Sequence, residues 1–257
     1  MVTLIEAGGW SVKGKRPLNE DSFFAGNVRG GAALTEAANK VRGGSSFTGK
    51  LGGEGRFFFV ADGMGGHDAG DAASSFLTEK IPAAPHPLDR ESLERHIIAV
   101  HEALLSFAKE RGSPNMGSTL AGILLQEGES AWYNLGDSRV YRLRRGYLSQ
   151  LSNDDSLAAI APGSPSNIIT NAMGAGLASV FVQSRFSPSL AVSGDVFLMC
   201  SDGVHGVIDD DTLETMLGAK TEPEETARLI VEKAITDNSD DNCTALVVKL
   251  LMETRHE

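Results

Sequence analysis

The chain has 257 residues, of which 34 are acidic and 23 are basic, so its formal net charge is −11 at pH 7. This composition argues against binding to nucleic acids or anionic membranes, because both select clustered lysine and arginine. The length suffices for one large or two small domains with a buried core, and the longest apolar runs are far too short to cross a bilayer.

Short apolar or alternating segments bounded by turn residues predict the strands of antiparallel sheets, packed as a sandwich. The segments at 119–126 and 131–135 predict a hairpin, because the four residues between them have a turn composition. The other predicted strands are at residues 57–61, 139–143, 180–186, 195–200 and 244–250.

Three helices are predicted from capping signals and from the spacing of apolar residues. The clearest begins after Asp89, its expected N-cap, and ends at Gly112, and its apolar residues recur on one face. A second helix is predicted by a capping box between Thr221 and Glu224. The third is expected at about 68–80.

The most irregular region is the glycine-rich segment 26–55, which contains nine glycines. We expect it to form a long surface excursion with a short helix around 32–41.

Cysteine usage and the N-terminus bear on the cellular compartment. Cys200 and Cys243 do not make a disulfide framework, and we expect both to pack within strands. The N-terminus has no basic region followed by an apolar run, which is what a secretory signal requires. We therefore expect a cytoplasmic protein.

Six carboxylates stand where a predicted strand meets a turn. Taken singly, each is explained by the turn alone. If the strand ends gather at one edge of a sandwich, the carboxylates meet in one cleft and repel each other unless cations intervene. Mg²⁺ and Mn²⁺ take such oxygen ligands, and the scattered histidines offer no zinc site. The residues are Glu20, Asp21, Asp62, Asp137, Asp202 and Asp241.

Six motifs then occur in a fixed order along nearly the whole chain. They are Arg16–Ser22, Val60–His67, Met116–Leu120, Gly136–Tyr141, Gly194–Val204 and Asp240–Thr244. In order and spacing they resemble the metal-dependent serine/threonine protein phosphatases of type 2C, in their bacterial form. The resemblance implies an α+β fold of four layers (αββα), an antiparallel β-sandwich flanked on each side by a helical layer. Residues 1–257 would form a single catalytic domain.

The resemblance also implies a centre with two Mn²⁺ or Mg²⁺ ions. Asp62 would bridge both ions, and the carbonyl of Gly63 would bind the first. Asp202 and Asp241 would hold the second ion.

The remaining matched positions would assist this centre. Glu20 and Asp21 would support it, directly or through metal-bound water. Asp137, together with Asp202, would bind a weaker third ion. Arg16 would hold the substrate phosphate, which suits a guanidinium fork.

The activity implied is hydrolysis of phosphoserine and phosphothreonine in proteins by direct attack of a water that bridges the two metals. The enzyme would oppose a serine/threonine kinase, and its partners would be phosphorylated proteins and that kinase or its targets. We expect a monomer that binds neither nucleic acid nor membrane.

The sequence also departs from the family pattern. Met64 stands where eukaryotic members carry a histidine proposed as general acid. Bacterial members commonly have methionine here, and the proton donor is left unassigned. Asp155 replaces a histidine, and the flap at 157–167 is shortened, which puts the substrate preference in doubt. Gly206 stands near the position where some members have another acid for the third ion. His205, next to it, is expected to be exposed to solvent.

Two alternatives on the same fold stay open. One is a catalytically silent module that binds phosphoproteins. The other is a regulatory phosphatase that acts on antagonists of anti-sigma factors, although the chain has no room for the sensor domain usual in such proteins.

Overall fold

The structure is a computed structural model, and it describes residues 3–27, 34–36, 42–50, 55–66, 69–85, 88–161, 163–165 and 168–252. Fourteen strands lie in these ranges. They are β1 (Thr3–Val12), β2 (Asp21–Asn27), β3 (Leu34–Glu36), β4 (Arg42–Lys50), β5 (Arg56–Met64), β6 (Gly117–Ser118), β7 (Leu120–Leu125), β8 (Ser130–Leu135), β9 (Arg139–Arg144), β10 (Tyr147–Gln150), β11 (Met173–Gly174), β12 (Gln183–Ser187), β13 (Val196–Cys200) and β14 (Cys243–Met252).

The strands form two antiparallel sheets. The first has the order β10-β9-β13-β14-β1-β4. The second has the order β11-β6-β5-β7-β8-β12, with β2 paired to β5 and β3 paired to β2.

Six α-helices and one short 3₁₀-helix, Ile81–Ala83, accompany the sheets in the described ranges. The α-helices are α1 (Ala69–Lys80), α2 (Arg90–Glu110), α3 (Leu157–Ile160), α4 (Asp202–His205), α5 (Asp210–Leu217) and α6 (Pro223–Thr236).

Three hydrophobic clusters show how these elements are layered. One cluster lies between the second sheet and helices α1 and α2. Another lies between the first sheet and helices α4, α5 and α6. The third fills the space between the two sheets. In β5 the alternation is direct, since Phe57 and Phe59 face the helices and Phe58 and Val60 face the other sheet. The predicted four-layer αββα sandwich is therefore confirmed.

Most local predictions agree with the structure, because local signals determine those elements. Asp89 caps α2 through Ser92, whose backbone N–H donates to the Asp89 carboxylate at 2.8 Å. The predicted hairpin is β7 and β8, paired from Leu120–Leu135 to Leu124–Ala131.

The capping box predicted at Thr221 and Glu224 is wrong. The helix begins at Pro223 with Glu222 as its N-cap, and no side chain caps it. The Thr221 hydroxyl is instead hydrogen-bonded to that of Thr226 at 2.6 Å, so it is not available to the backbone.

Segment 26–55 also differs from its prediction. Leu34–Glu36 forms strand β3 rather than part of a helix, and the rest of 32–41 lies outside the described residues. Strand β4 pairs along its whole length with β1 and forms an edge of the first sheet, so this part is not a mere excursion.

Candidate metal centre

The registers of the two sheets bring the acidic strand ends to one end of the sandwich. Cys200 at the end of β13 lies opposite Arg139 at the start of β9. In the same sheet, Cys243 at the start of β14 lies opposite Val12 at the end of β1. The turns and loops that carry Arg16, Glu20, Asp137, Asp202 and Asp241 therefore emerge together.

The second sheet adds two carboxylates at this end. Strands β2 and β5 are antiparallel neighbours, and their register sets Asp21 directly opposite Asp62. Side chains in such pairs have Cβ atoms about 5 Å apart, so two negative charges there destabilise the sheet. The structure thus brings the predicted acids together.

Burial and mutual repulsion raise the pKa values of these acids. Loss of hydration is the main cause at Asp62, which is half-buried and whose pKa stands well above 3.8. Asp21, the fully buried member of the pair with Asp62, has a pKa raised to about 7 by burial. Hydrogen bonds from Thr244 and Ser201 act against this rise. The pKa of Asp202 is raised by burial and then by Asp241.

Four carboxylate oxygens in this cluster are buried and have no hydrogen-bond partner within the described residues. They are Glu20 Oε1, Asp21 Oδ1, Asp137 Oδ1 and Asp202 Oδ1. A buried carboxylate oxygen without a donor is costly unless a cation satisfies it. Because every donor atom in the set is oxygen, the residues fit Mg²⁺ or Mn²⁺ better than zinc.

The side chains are not yet turned toward a common centre. In the described ranges, no three acidic, histidine or cysteine side chains converge as a ready-made metal site. The reason lies in their present hydrogen bonds. The carboxyl groups of Asp202 and Asp62 interact, and this interaction opposes part of the rise in the pKa of Asp202. Asp241 accepts from Arg16 Nη2 at 2.6 Å and from the Asn242 N–H at 2.8 Å.

Arg16 stands at the edge of the cluster with a half-exposed side chain. Besides its bond to Asp241, its Nε donates to the carbonyl of Asp240 at 3.1 Å. These contacts hold the guanidinium beside the acids.

Gly63 permits a close approach of backbone segments at the cluster. A Cβ at this position would lie 2.0 Å from the carbonyl oxygen of Gly70 and 2.6 Å from that of Glu20. The N–H of Gly63 donates to the same Glu20 carbonyl at 3.2 Å. Glycine is therefore required here to keep Glu20 beside β5. Its carbonyl as a metal ligand stays a prediction.

Asp137 lies at one side of the cluster, where it lines a cavity of about 210 Å³ together with Asp202 and Asp154. Burial, followed by the charge of Asp202, raises its pKa to about 7. His205 is half-buried here rather than exposed as predicted. Its Nε2 donates to the Asp137 carbonyl at 3.0 Å, and burial lowers its pKa to about 4, so it is neutral at pH 7.

Asp154 and Asp155 hold the turn of Asp137 in place. Asp154 accepts from Arg139 at 2.7 Å in a two-pronged ion pair. Asp155 accepts from the Gly136 N–H at 3.1 Å. The aspartate that replaces the usual histidine therefore has a structural contact of its own.

Sequence reasoning missed the residues that join the acid-bearing loops. Asn242 donates to the carbonyls of Lys13 and Leu18, at 2.9 and 2.8 Å, and accepts from the Glu20 N–H at 2.8 Å. These bonds connect the β1–β2 loop to the start of β14. Asn242 lies within a motif, so the motif itself was the available signal.

Two hydroxyl groups have the same joining role. Thr119 Oγ1 accepts from the Asp62 N–H at 3.0 Å and is bonded to Ser138 Oγ at 2.8 Å, which links β5 to the turn of Asp137. Ser201 Oγ donates to Asp21 Oδ2 at 2.7 Å. Both also lie within motifs.

Two further findings concern the cysteines and the helices. Cys200 and Cys243 are free, fully buried thiols in strands, as predicted. Within the described ranges, no helix combines the length and apolar character needed to span a membrane.

Comparison with known proteins decides the family. Residues 46–237 match the family model of protein phosphatase 2C. The chain belongs to the protein phosphatase 2C family. The resemblance drawn from the six motifs is thereby confirmed.

Individual relatives agree with this assignment. The serine/threonine phosphatase stp of Listeria welshimeri is 31% identical over 211 residues, which are 74% of this chain and 82% of that protein. The structure of PppA, a regulatory component of T6SS in Pseudomonas aeruginosa, has a TM-score of 0.76 and 28% identity and covers 96% of this chain and 98% of its own. The catalytic domain of the phosphatase PstP, solved with two manganese ions, has a TM-score of 0.75 and 25% identity, with 97% and 100% covered.

Proposed function

We propose that this protein is a metal-dependent phosphatase that hydrolyses phosphoserine and phosphothreonine in proteins, with 1–257 as a single catalytic domain. The family supports the reaction class, and the named relatives stp and PstP support the substrate class. The observation that carries the proposal is the cluster of carboxylates whose buried oxygens lack donors.

The residues that would hold two divalent ions are those of the cluster. Asp62 is central, because its carboxyl group interacts with four other carboxylates. Asp202 and Asp241 would serve the second ion, and Asp21 and Glu20 would support the pair. The PstP structure, with its two manganese ions, supports this number. When bound, the ions activate water as a nucleophile and offset charge on the phosphoryl group.

The contacts of the protein groups support the following parts in the reaction. Asp62 and Asp202 would ligate a cation as carboxylates, and their raised pKa values mean that a cation would compete with protons for these groups. Arg16, which donates to Asp241 in this structure, would offer its guanidinium to the substrate phosphate beside the carboxylates. Ser201 keeps Asp21 oriented through its hydrogen bond.

Further parts of the proposal concern a third cation, the proton donor and the identity of the metal. Asp137 and Asp202 share a cavity next to the cluster, which supports a weaker third cation there. Met64 has no transferable proton, so we assign protonation of the leaving alcohol to solvent. The choice between Mn²⁺ and Mg²⁺ is open, because both prefer these ligands. A kinase counterpart, a monomeric state and a cytoplasmic location remain predictions.

The decisive test is hydrolysis of p-nitrophenyl phosphate and of a phosphothreonine peptide. We expect turnover with Mn²⁺ or Mg²⁺, none with chelator, and none in Asp62→Asn. The matched control is Asp211→Asn, an exposed carboxylate on α5, which should leave turnover unchanged. Turnover that resists the chelator would refute the proposal. A silent phosphoprotein-binding module would show neither turnover nor tight Mn²⁺ binding by calorimetry.

A further inference from the structure

A second pocket lies at the other end of β9, between the edges of the two sheets. Its volume is about 210 Å³, and Arg142 and Arg144 of β9 line it together with Arg185 of β12 and Trp132 of β8. Arg144 ends β9 and lies about 17 Å along the extended strand from Arg139, the residue at the start of β9 that contacts Asp154. We call this the arginine pocket, and it is separate from the carboxylate cluster.

The alternation of β9 points two of these arginines inward. Val140 packs between the sheets, whereas Tyr141 and Leu143 pack on the helical side. Arg142 and Arg144 therefore project from the face of Val140, toward the space between the sheets. Arginine is rarely placed there unless a partner satisfies it.

Only one of the three guanidinium groups has a carboxylate partner within the described residues. Arg144 forms a two-pronged ion pair with the buried Asp195, at 2.7 and 2.6 Å. Arg142 donates to the Leu190 carbonyl at 3.2 Å, but its Nε is buried and has no acceptor. Arg185 is exposed and has no ion pair in the described ranges.

The pocket is thus cationic in a protein whose net charge is −11. Burial, and then the charge of Arg144, lowers the pKa of Arg142, and the charge of Asp195 only partly opposes this. An anion in the pocket would supply the counter-charge for Arg142 and Arg185, both of which line it.

We propose that the arginine pocket binds a phosphate group. Guanidinium groups that reach the pocket from β9 and β12 offer donors from different directions, which suits the several oxygens of a tetrahedral oxyanion better than a single carboxylate. The group has two sources, free inorganic phosphate and a phosphate monoester on a peptide. The proposal does not depend on the catalytic function.

Trp132 makes the proposal measurable, because it lines the pocket and the chain has only one other tryptophan, Trp10. In Trp10→Phe protein the fluorescence reports on Trp132 alone. We expect sodium phosphate to cause a saturable change, both with Mg²⁺ and with chelator, that sodium chloride at equal ionic strength does not cause. A response that chloride reproduces would overturn the proposal.

Matched variants locate the binding. Arg185→Gln and Arg142→Gln should each weaken phosphate binding by at least about fivefold, as loss of a charge-assisted hydrogen bond does. Arg185 is exposed, so its variant should fold even if Arg142→Gln does not. Arg145→Gln removes an exposed arginine that directly follows β9 and does not line the pocket. This variant should change the affinity for phosphate less than twofold. Equal losses of phosphate affinity in Arg185→Gln and Arg145→Gln would also overturn the proposal.

A phosphothreonine peptide distinguishes the two sources of the phosphate group. The peptide is added in the presence of chelator so that it is not hydrolysed. A saturable response lost in Arg185→Gln supports a pocket that accepts monoesters. A response to inorganic phosphate alone supports a pocket for the free anion. Because the signal does not require the divalent metals, failure here is distinguishable from absence of phosphatase activity.

Discussion

Replacing Asp137 with asparagine should change how the stability of the metal-free protein depends on pH. Asp137 is only 6% exposed, its Oδ1 has no donor, and burial together with Asp202 raises its pKa to about 7. In the unfolded chain the same carboxyl group titrates near 3.9. Between these values the folded state holds a proton that the unfolded state has released.

The sign and size of the effect follow from linkage. Because the folded state binds more protons, the free energy of unfolding falls as pH rises from about 4 to about 7. A pKa change from 3.8 to about 7 corresponds to a total decrease of about 4 kcal/mol in the free energy of unfolding, which is reached above pH 7. Of this, about 2.5 kcal/mol develops between pH 5 and pH 8. Asparagine does not titrate, so Asp137→Asn should lack this loss.

The assay is urea denaturation of chelator-treated protein at pH 5 and pH 8. The quantity compared is the change in unfolding free energy between the two pH values, so any pH-independent cost of a buried amide cancels. The control is Glu129→Gln, an exposed residue in the β7–β8 turn, which should behave as the unmodified protein does. An identical pH dependence in Asp137→Asn and the unmodified protein would refute the reasoning.

Three further outcomes are expected. Mn²⁺ should raise the melting temperature of chelator-treated protein, and more at pH 8 than at pH 5.5, because cations must displace protons from acids such as Asp21; an equal rise at both pH values would contradict this. Arg16→Ala should raise KM in steady-state kinetics with little change in kcat, if Arg16 holds ground-state phosphate; a loss in kcat alone would contradict that role. Thr119→Val should lower the unfolding free energy by about 1–3 kcal/mol in urea, because the Asp62 N–H loses its acceptor, whereas Thr215→Val on the exposed face of α5 should cost less.

The sequence predicted those elements whose signals are local. Asp89 with Ser92, and the turn between β7 and β8, act within a few residues, so the helix α2 and the hairpin were predictable. The motifs also indicated which acids belong together. Their sharing of one end of the sandwich depends on strand registers, such as Asp21 opposite Asp62, that no local pattern contains.

Long-range pairing explains what could not be predicted. Strand β4 is rich in glycine and lacks alternation, and it is a strand because β1 provides an edge to pair with. The Thr221 hydroxyl had two possible partners, and it bonds Thr226 rather than the helix backbone. The ion pair of Arg16 with Asp241 joins residues more than 200 positions apart, so neither residue alone suggests it.

The register of Asp21 and Asp62 also decides between the two explanations of the acidic strand ends. An aspartate that only forms a turn is exposed and has no need of an acidic neighbour. Asp21 instead faces Asp62 across paired strands, is 1% exposed, and has a buried oxygen without a donor. Turn formation explains none of these three facts, and each of them weakens the sheet in the absence of a counter-charge. A cation beside this pair would supply that counter-charge, so the register favours a cation-binding cluster over a merely acidic surface.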